Sequence, residues 1–350
     1  MPARPSPRPR PIRAIVLGDL VLDLVLSPDG PLRPGTDVAG RVAFRQGGSA
    51  ATTARWFARL GLDAVLVTAV ADDGLGDGLV AYMESCGVEV HATRVRGSHT
   101  GRLGVLVEAG DRSFVADRGA IHRLAPVHLR ASWFSGARLL HVPAYSLVGD
   151  RIAETAARAA RLASGAGAHI SLDLSSAGFL ASEGPERILA RVAALRPDVI
   201  LATRQEAMAA TSEDGVERLL HLAPLVVVKE GAMGAAAHRR AGGPAVRSSA
   251  RAARVRDTTG AGDAFDAGFL TALVTGVADL SHPTDRDLLR ALGAAHRTAI
   301  RELTGRREEL DVTVRGIPRG RHRRASLGGR PARTDRTDQA TADEAPYRAD

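Results

Sequence analysis

Blocks of consecutive apolar residues alternate along the chain with segments in which apolar residues recur at helical spacing. The blocks are short and rich in Val, Ile and Leu, which is typical of strands buried on both faces. Strands are predicted at 12–26, 64–70, 88–90, 139–142, 170–174, 199–202 and 225–229. Helices are predicted at 49–60, 75–85, 151–164, 187–194, 206–210, after Gly262, and at 288–303. This alternation predicts an α/β fold with a mostly parallel sheet covered on both faces by helices.

Two segments have a different pattern. Apolar and polar residues alternate singly at 38–45 and again at 102–116, where Gly110 and Asp111 lie near a predicted hairpin turn. Such alternation is typical of strands with one exposed face, so we expect these segments to form a small separate sheet.

Composition limits the class of protein. The chain has 350 residues, of which 45% are apolar and 25% charged, as in soluble globular proteins. Cys86 is the only cysteine, which excludes an intrachain disulfide and favours a cytoplasmic location. Asp19 and Asp23 interrupt the first apolar run, which argues against a signal peptide. No apolar run approaches the roughly 20 residues that span a bilayer, so no membrane partner is expected.

The net charge of +8 comes from the two ends of the chain. Residues 1–13 and 312–350 each carry +4, and the segment between them is neutral. The ends are rich in Arg, Pro and Gly, so we predict a disordered basic arm at 1–12 and a disordered Arg-rich tail at 312–350. The alternative is that the tails bind nucleic acid or an acidic partner; otherwise nucleic acid is not an expected ligand.

The segment 257–268 reads DTTGAGDAFDAG and opens an apolar helix. Gly260 and Gly262 let backbone N–H groups approach a ligand closely, and a helix N-terminus attracts phosphate. A carboxylate such as Asp263 is a poor neighbour for phosphate unless it accepts a proton from an attacking hydroxyl. The segment therefore indicates phosphoryl transfer.

Other candidate residues are individually weaker. Gly47 and Gly48 precede a predicted helix and could let a ligand sit against the backbone, or form a plain turn. Asp23, expected near the end of the first strand, could hold sugar hydroxyls or be a surface carboxylate. Glu206 could hold Mg²⁺ through water or simply favour a helix N-terminus.

Several other chemistries are not indicated. The chain has no Walker-type phosphate loop, Gly74, Gly76 and Gly78 do not complete a dinucleotide fingerprint, and the histidines lack the spacing of zinc ligands. Lys229, Gly231 and Gly234 follow an apolar strand, where they could lie under a nucleotide or form a simple turn.

Taken together, these motifs resemble the ribokinase-like, or PfkB, family of carbohydrate kinases over about residues 13–311. Gly47-Gly48 with Ala54 and Arg59-Leu60-Gly61 is similar to the N-terminal signature of that family, and 257–268 to its C-terminal signature. The resemblance implies a three-layer αβα doubly wound fold in one kinase domain, 13–311. It also implies a small β-sheet lid formed by about 36–46 and 95–120, which in some members makes a dimer contact.

The resemblance also implies residue roles. Asp263 would be the catalytic base, with Gly260, Ala261 and Gly262 forming the anion hole. The sugar would be bound by Asp23, Gly47, Gly48 and Thr52. ATP would be bound by Lys229, Gly231, Gly234 and Thr258. Mg²⁺ would be held by Glu206, directly or through water, and a monovalent cation such as K⁺ by Asp257 and Thr259.

Two positions depart from the family pattern. Thr52 and Thr203 replace asparagines that are usual in the family, which leaves the identity of the acceptor open. We therefore expect an ATP-dependent kinase for a sugar or sugar-like acceptor. The alternatives are a nucleoside kinase of the same family and a sugar-binding regulatory protein that has lost catalysis.

Overall fold

The computed structural model describes residues 11–108, 111–211, 215–255, 257–277, 280, 282–306 and 308–310. Residues 1–10 and 311–350 lie outside this range, so disorder in the two basic ends stays a prediction. The predicted turn near Gly110 also lies partly outside the described residues.

Strands and helices are numbered here in chain order. The strands are β1 Arg13–Leu17, β2 Val21–Pro28, β3 Gly40–Gly47, β4 Asp63–Ala71, β5 Glu89–Val95, β6 Thr100–Glu108, β7 Asp111–Gly119, β8 Ala137–Pro143, β9 His169–Asp173, β10 Val199–Thr203, β11 Leu225–Lys229, β12 Ala235–Arg239 and β13 Val246–Ser248. The helices are α1 Ser49–Arg59, α2 Gly74–Ser85, α3 Asp150–Gly165, α4 Ala177–Glu183, α5 Pro185–Leu195, α6 Arg204–Thr211, α7 Gly215–Leu220, α8 Ala261–Gly276 and α9 Asp285–Thr304.

Among the described residues, nine strands form the large sheet, in the order β13-β12-β11-β10-β9-β8-β1-β4-β5. The pairs from β11 through β5 are parallel, and β12 and β13 extend one edge antiparallel. Side chains alternate between two apolar layers: Val16 packs with α1, α2, α8 and α9, and Ile15 and Leu17 pack with α3, α5, α6 and α7. The predicted α/β architecture is confirmed.

A second sheet of four strands has the order β3-β2-β6-β7. It contains both segments that were predicted to form a small sheet. It also contains β2, because the single strand predicted at 12–26 is wrong: the chain breaks at Gly18 and enters the second sheet at Val21. Gly18 has no room for a side chain, since a Cβ there would lie 2.8 Å from Ser146 Oγ and 2.9 Å from Ala50 Cβ.

This break also corrects the expected place of Asp23. The residue is not at the end of a strand in the large sheet but within β2, opposite Arg45 on β3 and Leu103 on β6. The small sheet therefore supplies the Asp23 carboxylate.

Close packing of α8 against α9 explains a glycine of the C-terminal motif. A Cβ at Gly268 would lie 2.6 Å from Thr298 Oγ1 and 2.9 Å from the Ala294 carbonyl oxygen. Gly268 thus brings the two helices together. None of the helices in the described ranges has the length and apolarity needed to cross a bilayer.

Candidate active site

A cavity of about 1250 Å³ lies where residues of the small sheet face loops and helix ends of the large sheet. Of the residues predicted to bind or react, all but Asp257 line it. Both sheets therefore contribute to one candidate site.

Helix α8 begins in this cavity. Gly260 precedes the helix in the left-handed conformation, at φ 71°, and the backbone turns so that the Ala261 N–H donates to the Thr258 carbonyl at 3.3 Å. N–H groups in a first helical turn have no partner within the helix, which makes this turn suited to an anion. Asp263 lies in the same turn and accepts a hydrogen bond from the Ser49 hydroxyl at the start of α1. Two helix N-termini thus meet at the predicted base.

The end of the cavity that holds the predicted sugar-binding residues is built around two glycines. A Cβ at Gly47 would lie 1.7 Å from Asp23 Oδ1, so only glycine lets the Asp23 carboxylate occupy its place. Gly48 has φ +96°, and a Cβ there would lie 2.3 Å from the Asp19 carbonyl oxygen. Asp23 and Thr52 are 3% and 6% exposed. The predicted sugar-binding residues are therefore brought together.

A buried ion pair next to these residues was not predicted. Arg118, at the end of β7, donates from Nε to Asp19 Oδ2 at 3.0 Å and from Nη2 to Asp19 Oδ1 at 2.7 Å. Arg118 Nη1 is buried and has no hydrogen-bond partner among the described residues. The guanidinium lies over the ring of Tyr145, whose pKa is raised by burial and by the charge of Asp263. In the sequence, only the charge of Asp19 inside an apolar run pointed to this pair.

The Lys229 side chain is held by two buried carboxylates. Its Nζ donates to Asp173 Oδ1 at 2.6 Å and to both oxygens of Asp266 at 3.3 Å. Burial lowers the pKa of Lys229, but Asp173, Asp266 and Glu206 outweigh that effect and raise it overall. The pKa of Asp266 is raised well above its ordinary value by burial and by the neighbouring charge of Asp173. Asp173 and Asp266 were not predicted, although a carboxylate inside the apolar run of α8 was a signal.

The loop after Lys229 lines the cavity, and its two glycines differ. A Cβ at Gly234 would lie 2.1 Å from the Ser248 carbonyl oxygen, so Gly234 is required by the approach of the backbone. A Cβ at Gly231 would meet no atom within 4 Å. The close packing that requires a glycine at position 234 is therefore not present at position 231.

Glu206 closes the first turn of α6. Its Oε2 accepts the Thr203 N–H at 2.7 Å, and its own N–H donates to Thr203 Oγ1 at 3.2 Å. Burial and the charge of Asp173 raise its pKa. Within the described ranges, no three or more His, Cys, Asp or Glu side chains are arranged to hold a metal ion. The role of Glu206 toward Mg²⁺ stays a prediction.

Asp257 forms ion pairs with the small sheet. Arg45 Nη1 on β3 lies 2.8 Å from Asp257 Oδ2, and Arg112 Nη2 on β7 lies 2.9 Å from Oδ1. Arg112 also donates to Thr258 Oγ1, and the Thr259 N–H donates to Asp257 Oδ1 at 2.9 Å. The carboxylate predicted to bind a monovalent cation is therefore engaged by two guanidinium groups, and the cation stays a prediction.

Comparison with known proteins identifies the family. The model of the pfkB family carbohydrate kinases matches residues 12–300. The chain belongs to the PfkB family of carbohydrate kinases. This kinase is 30% identical to a fructokinase of Klebsiella pneumoniae over 81% of this chain and 92% of that protein.

Two further comparisons place the kinase among its relatives. It is 26% identical to the 5-dehydro-2-deoxygluconokinase of Bacillus licheniformis, over 66% of this chain and 74% of that one. A putative ribokinase II from E. coli, solved in complex with ATP and Mg²⁺, has the same fold at 18% identity. The TM-score is 0.70, with 85% of this chain and 94% of that chain covered.

Proposed function

We propose that this kinase transfers the γ-phosphoryl group of ATP to a hydroxyl of a sugar or sugar-like acceptor, with Asp263 as the catalytic base. One observation carries the proposal: the α8 turn that holds Asp263 and the pocket of Asp23, Gly47 and Gly48 line the same cavity. Acceptor hydroxyl, base and anion site can therefore meet in one place.

In this proposal Asp263 takes the proton of the acceptor hydroxyl as that oxygen attacks the γ-phosphorus. The hydrogen bond from Ser49 fixes the orientation of the carboxylate. The N–H groups of Gly260, Ala261 and Gly262 stabilise the negative charge on the transferring group. The small sheet, acting as a lid, would exclude water that could otherwise be phosphorylated.

The nucleotide would lie on the opposite side of the α8 turn. Gly231 and Thr258 line that part of the cavity, and Gly231 has room for a ribose or base. Bound Mg²⁺ would neutralise charge on the phosphates, and Glu206 would reach it through water. The E. coli relative with ATP and Mg²⁺ supports this pair of ligands.

The charged side chains of Asp23 and Arg118 limit the class of acceptor. Asp23 would bind sugar hydroxyls, and the free Nη1 of Arg118 needs an acceptor atom from a ligand. A sugar or a sugar acid satisfies both groups, and the names of the relatives include a fructokinase and a 5-dehydro-2-deoxygluconokinase. A nucleoside acceptor is the competing outcome.

Val42 and Val115 are 58% and 77% exposed on the small sheet, which supports a homodimer through this surface.

The test is ADP release from Mg-ATP with a panel of sugars, sugar acids, sugar phosphates and nucleosides. We expect ADP release that depends on one acceptor class, and a loss of about 10²–10⁴-fold in kcat in Asp263→Asn. Asp72→Asn is the matched control, because the Asp72 side chain is 61% exposed and away from the cavity. Near-normal kcat in Asp263→Asn would contradict the base assignment. Binding of an acceptor without turnover would favour the regulatory alternative.

A further inference from the structure

We propose that Lys229 is a further catalytic residue of this kinase, whose ammonium group binds the oxygens of the phosphoryl group during transfer. The inference rests on the proposed function, since it requires ATP as the donor. It gives Lys229 a role in the chemistry itself, in place of contact with the adenine or ribose.

The position of Lys229 supports this role. It is the last residue of β11 and pairs with Thr203 of β10 at the edge where the loops enter the cavity. A Cβ built on Gly262 would lie 3.6 Å from Lys229 Nζ. The ammonium and the backbone of the α8 turn therefore border the same space, and a phosphoryl oxygen bound by the turn would lie within reach of Nζ.

The hydrogen bonds of Lys229 differ in length. An ammonium group carries three N–H bonds. Asp173 Oδ1 accepts at 2.6 Å, whereas the two oxygens of Asp266 accept at 3.3 Å, beyond the usual range for an N–H···O bond. A phosphoryl oxygen would therefore compete with the long contacts to Asp266, and the short bond to Asp173 would be kept.

The surrounding carboxylates keep the ammonium charged and fixed in direction. Asp173 and Asp266 side chains are 5% and 0% exposed, so they cannot turn away into solvent. A buried ion pair of this kind contributes little net stability compared with apolar side chains of the same volume. What it does provide is a positive charge already in place where negative charge develops, without reorganisation during the reaction.

Lys229 stays charged throughout the chemical step. The acceptor oxygen forms its bond to the γ-phosphorus, and the bond between that phosphorus and the β–γ bridging oxygen breaks. The electron pair of the broken bond leaves with ADP, and the proton of the acceptor passes to Asp263. Lys229 donates a hydrogen bond and exchanges no proton.

The sequence offers a direct probe, because Lys229 is the only lysine among the 350 residues. In protein labelled with ¹⁵N-lysine, the side chain gives a single Nζ signal. We expect Mg-AMP-PNP, which has a γ-phosphoryl group, to shift this signal well beyond the shift caused by Mg-ADP. An Nζ signal that AMP-PNP leaves unchanged, while calorimetry shows that AMP-PNP binds, would overturn the proposal.

Kinetics of Lys229→Met give the second readout. We expect kcat to fall about 10²–10³-fold, with the KM for the acceptor nearly unchanged. Affinity for AMP-PNP should fall while affinity for ADP is retained, whereas a merely structural loss would weaken both nucleotides alike. A normal kcat in folded Lys229→Met would contradict the inference. If that variant does not fold, the labelled native protein decides.

Nucleotide binding and turnover by the native protein distinguish a wrong donor from a wrong role of Lys229. A native protein that binds neither ADP nor AMP-PNP would refute ATP as donor. A native protein that turns over ATP, together with an active Lys229→Met variant, would refute only the role of the lysine.

Discussion

At the scale of single residues, Gly47 sets the shape of the pocket that we propose for the acceptor. The hydrogen that this glycine carries in place of a methyl group faces the Asp23 carboxylate, and a Cβ would overlap Oδ1 at 1.7 Å. We expect Gly47→Ala to displace Asp23 and to raise the KM for the acceptor strongly, while the affinity for AMP-PNP changes little. Steady-state kinetics and calorimetry measure the two quantities.

The matched control for this prediction lies in the same sheet. A Cβ at Gly104 of β6 would make only ordinary contacts, at 3.8 Å from Val115. Gly104→Ala should therefore bind the acceptor normally. An equal loss in both variants would show that the small sheet as a whole is sensitive to substitution, and that Gly47 has no special relation to Asp23.

Residues in consecutive motifs could be found from the sequence, and residues that act through distant contacts could not. Asp263 and the glycines around it share one short segment, and Gly47 and Gly48 are adjacent, so the spacing within each motif carries a chemical meaning. Arg118 meets Asp19 across 99 residues, and Lys229 meets Asp173 across 56. Nothing in the local pattern specifies such partners, because they are brought together only when the sheets form.

At the scale of elements, the parallel strands of the large sheet and most of its helices were predicted, because buried runs and helical spacing are strong signals. The edge strands β12 and β13 and the short helices α4 and α7 were not predicted. The continuous apolar run at 12–26 was misread as one strand. Apolar content does not reveal that β1 and β2 belong to different sheets, since both are buried. Gly18 marks the break, but the contacts that require a glycine there exist only in the folded chain, so the sequence alone did not reveal it.

Two strands of the small sheet are tied to the segment before α8. Arg45 on β3 and Arg112 on β7 both pair with Asp257, and the three side chains are no more than 18% exposed. Because these guanidinium groups already neutralise the carboxylate, we expect replacement of K⁺ by Na⁺ to leave kcat unchanged. The measurement is ADP release at constant ionic strength in the two salts.

Removal of the arginines should reverse this behaviour. In Arg45→Met/Arg112→Met the Asp257 carboxylate would lose both guanidinium groups, and a monovalent cation could take their place. We expect kcat of that variant to rise with K⁺. Strong K⁺ stimulation of the native kinase would contradict the prediction and favour a cation site at Asp257 and Thr259.

At the scale of the whole molecule, buried histidines make folding depend on pH. His141 of β8 is completely buried, its Nδ1 lies 2.9 Å from Ser171 Oγ, and burial lowers its pKa from 6.5 to about 4. Burial also lowers the pKa of four further histidines, namely His91, His122, His238 and His296. At these five histidines the unfolded chain therefore binds more protons than the folded protein below about pH 6.5.

The stability contributed by the neutral His141 side chain is fully present above the pKa of this residue in the unfolded chain. It is lost as the pH falls from 6.5 towards about 4. Between these values His141 alone contributes up to about 1.4 kcal/mol per pH unit to the free energy of unfolding. In His141→Gln, urea unfolding at several pH values should show a slope smaller by that amount. An identical slope in the two proteins would mean that His141 is protonated in the folded state.

The burial of Lys229 has a practical consequence for studying this protein. A protease that cuts only after lysine has a single target bond in the whole sequence, and it divides the chain into 1–229 and 230–350. That bond follows β11, which lies between β10 and β12 in the large sheet. A protease must engage several residues on both sides of the bond in extended form, so cleavage requires β11 to leave its neighbours in the sheet. The rate of this one cleavage therefore measures how often the large sheet itself comes apart.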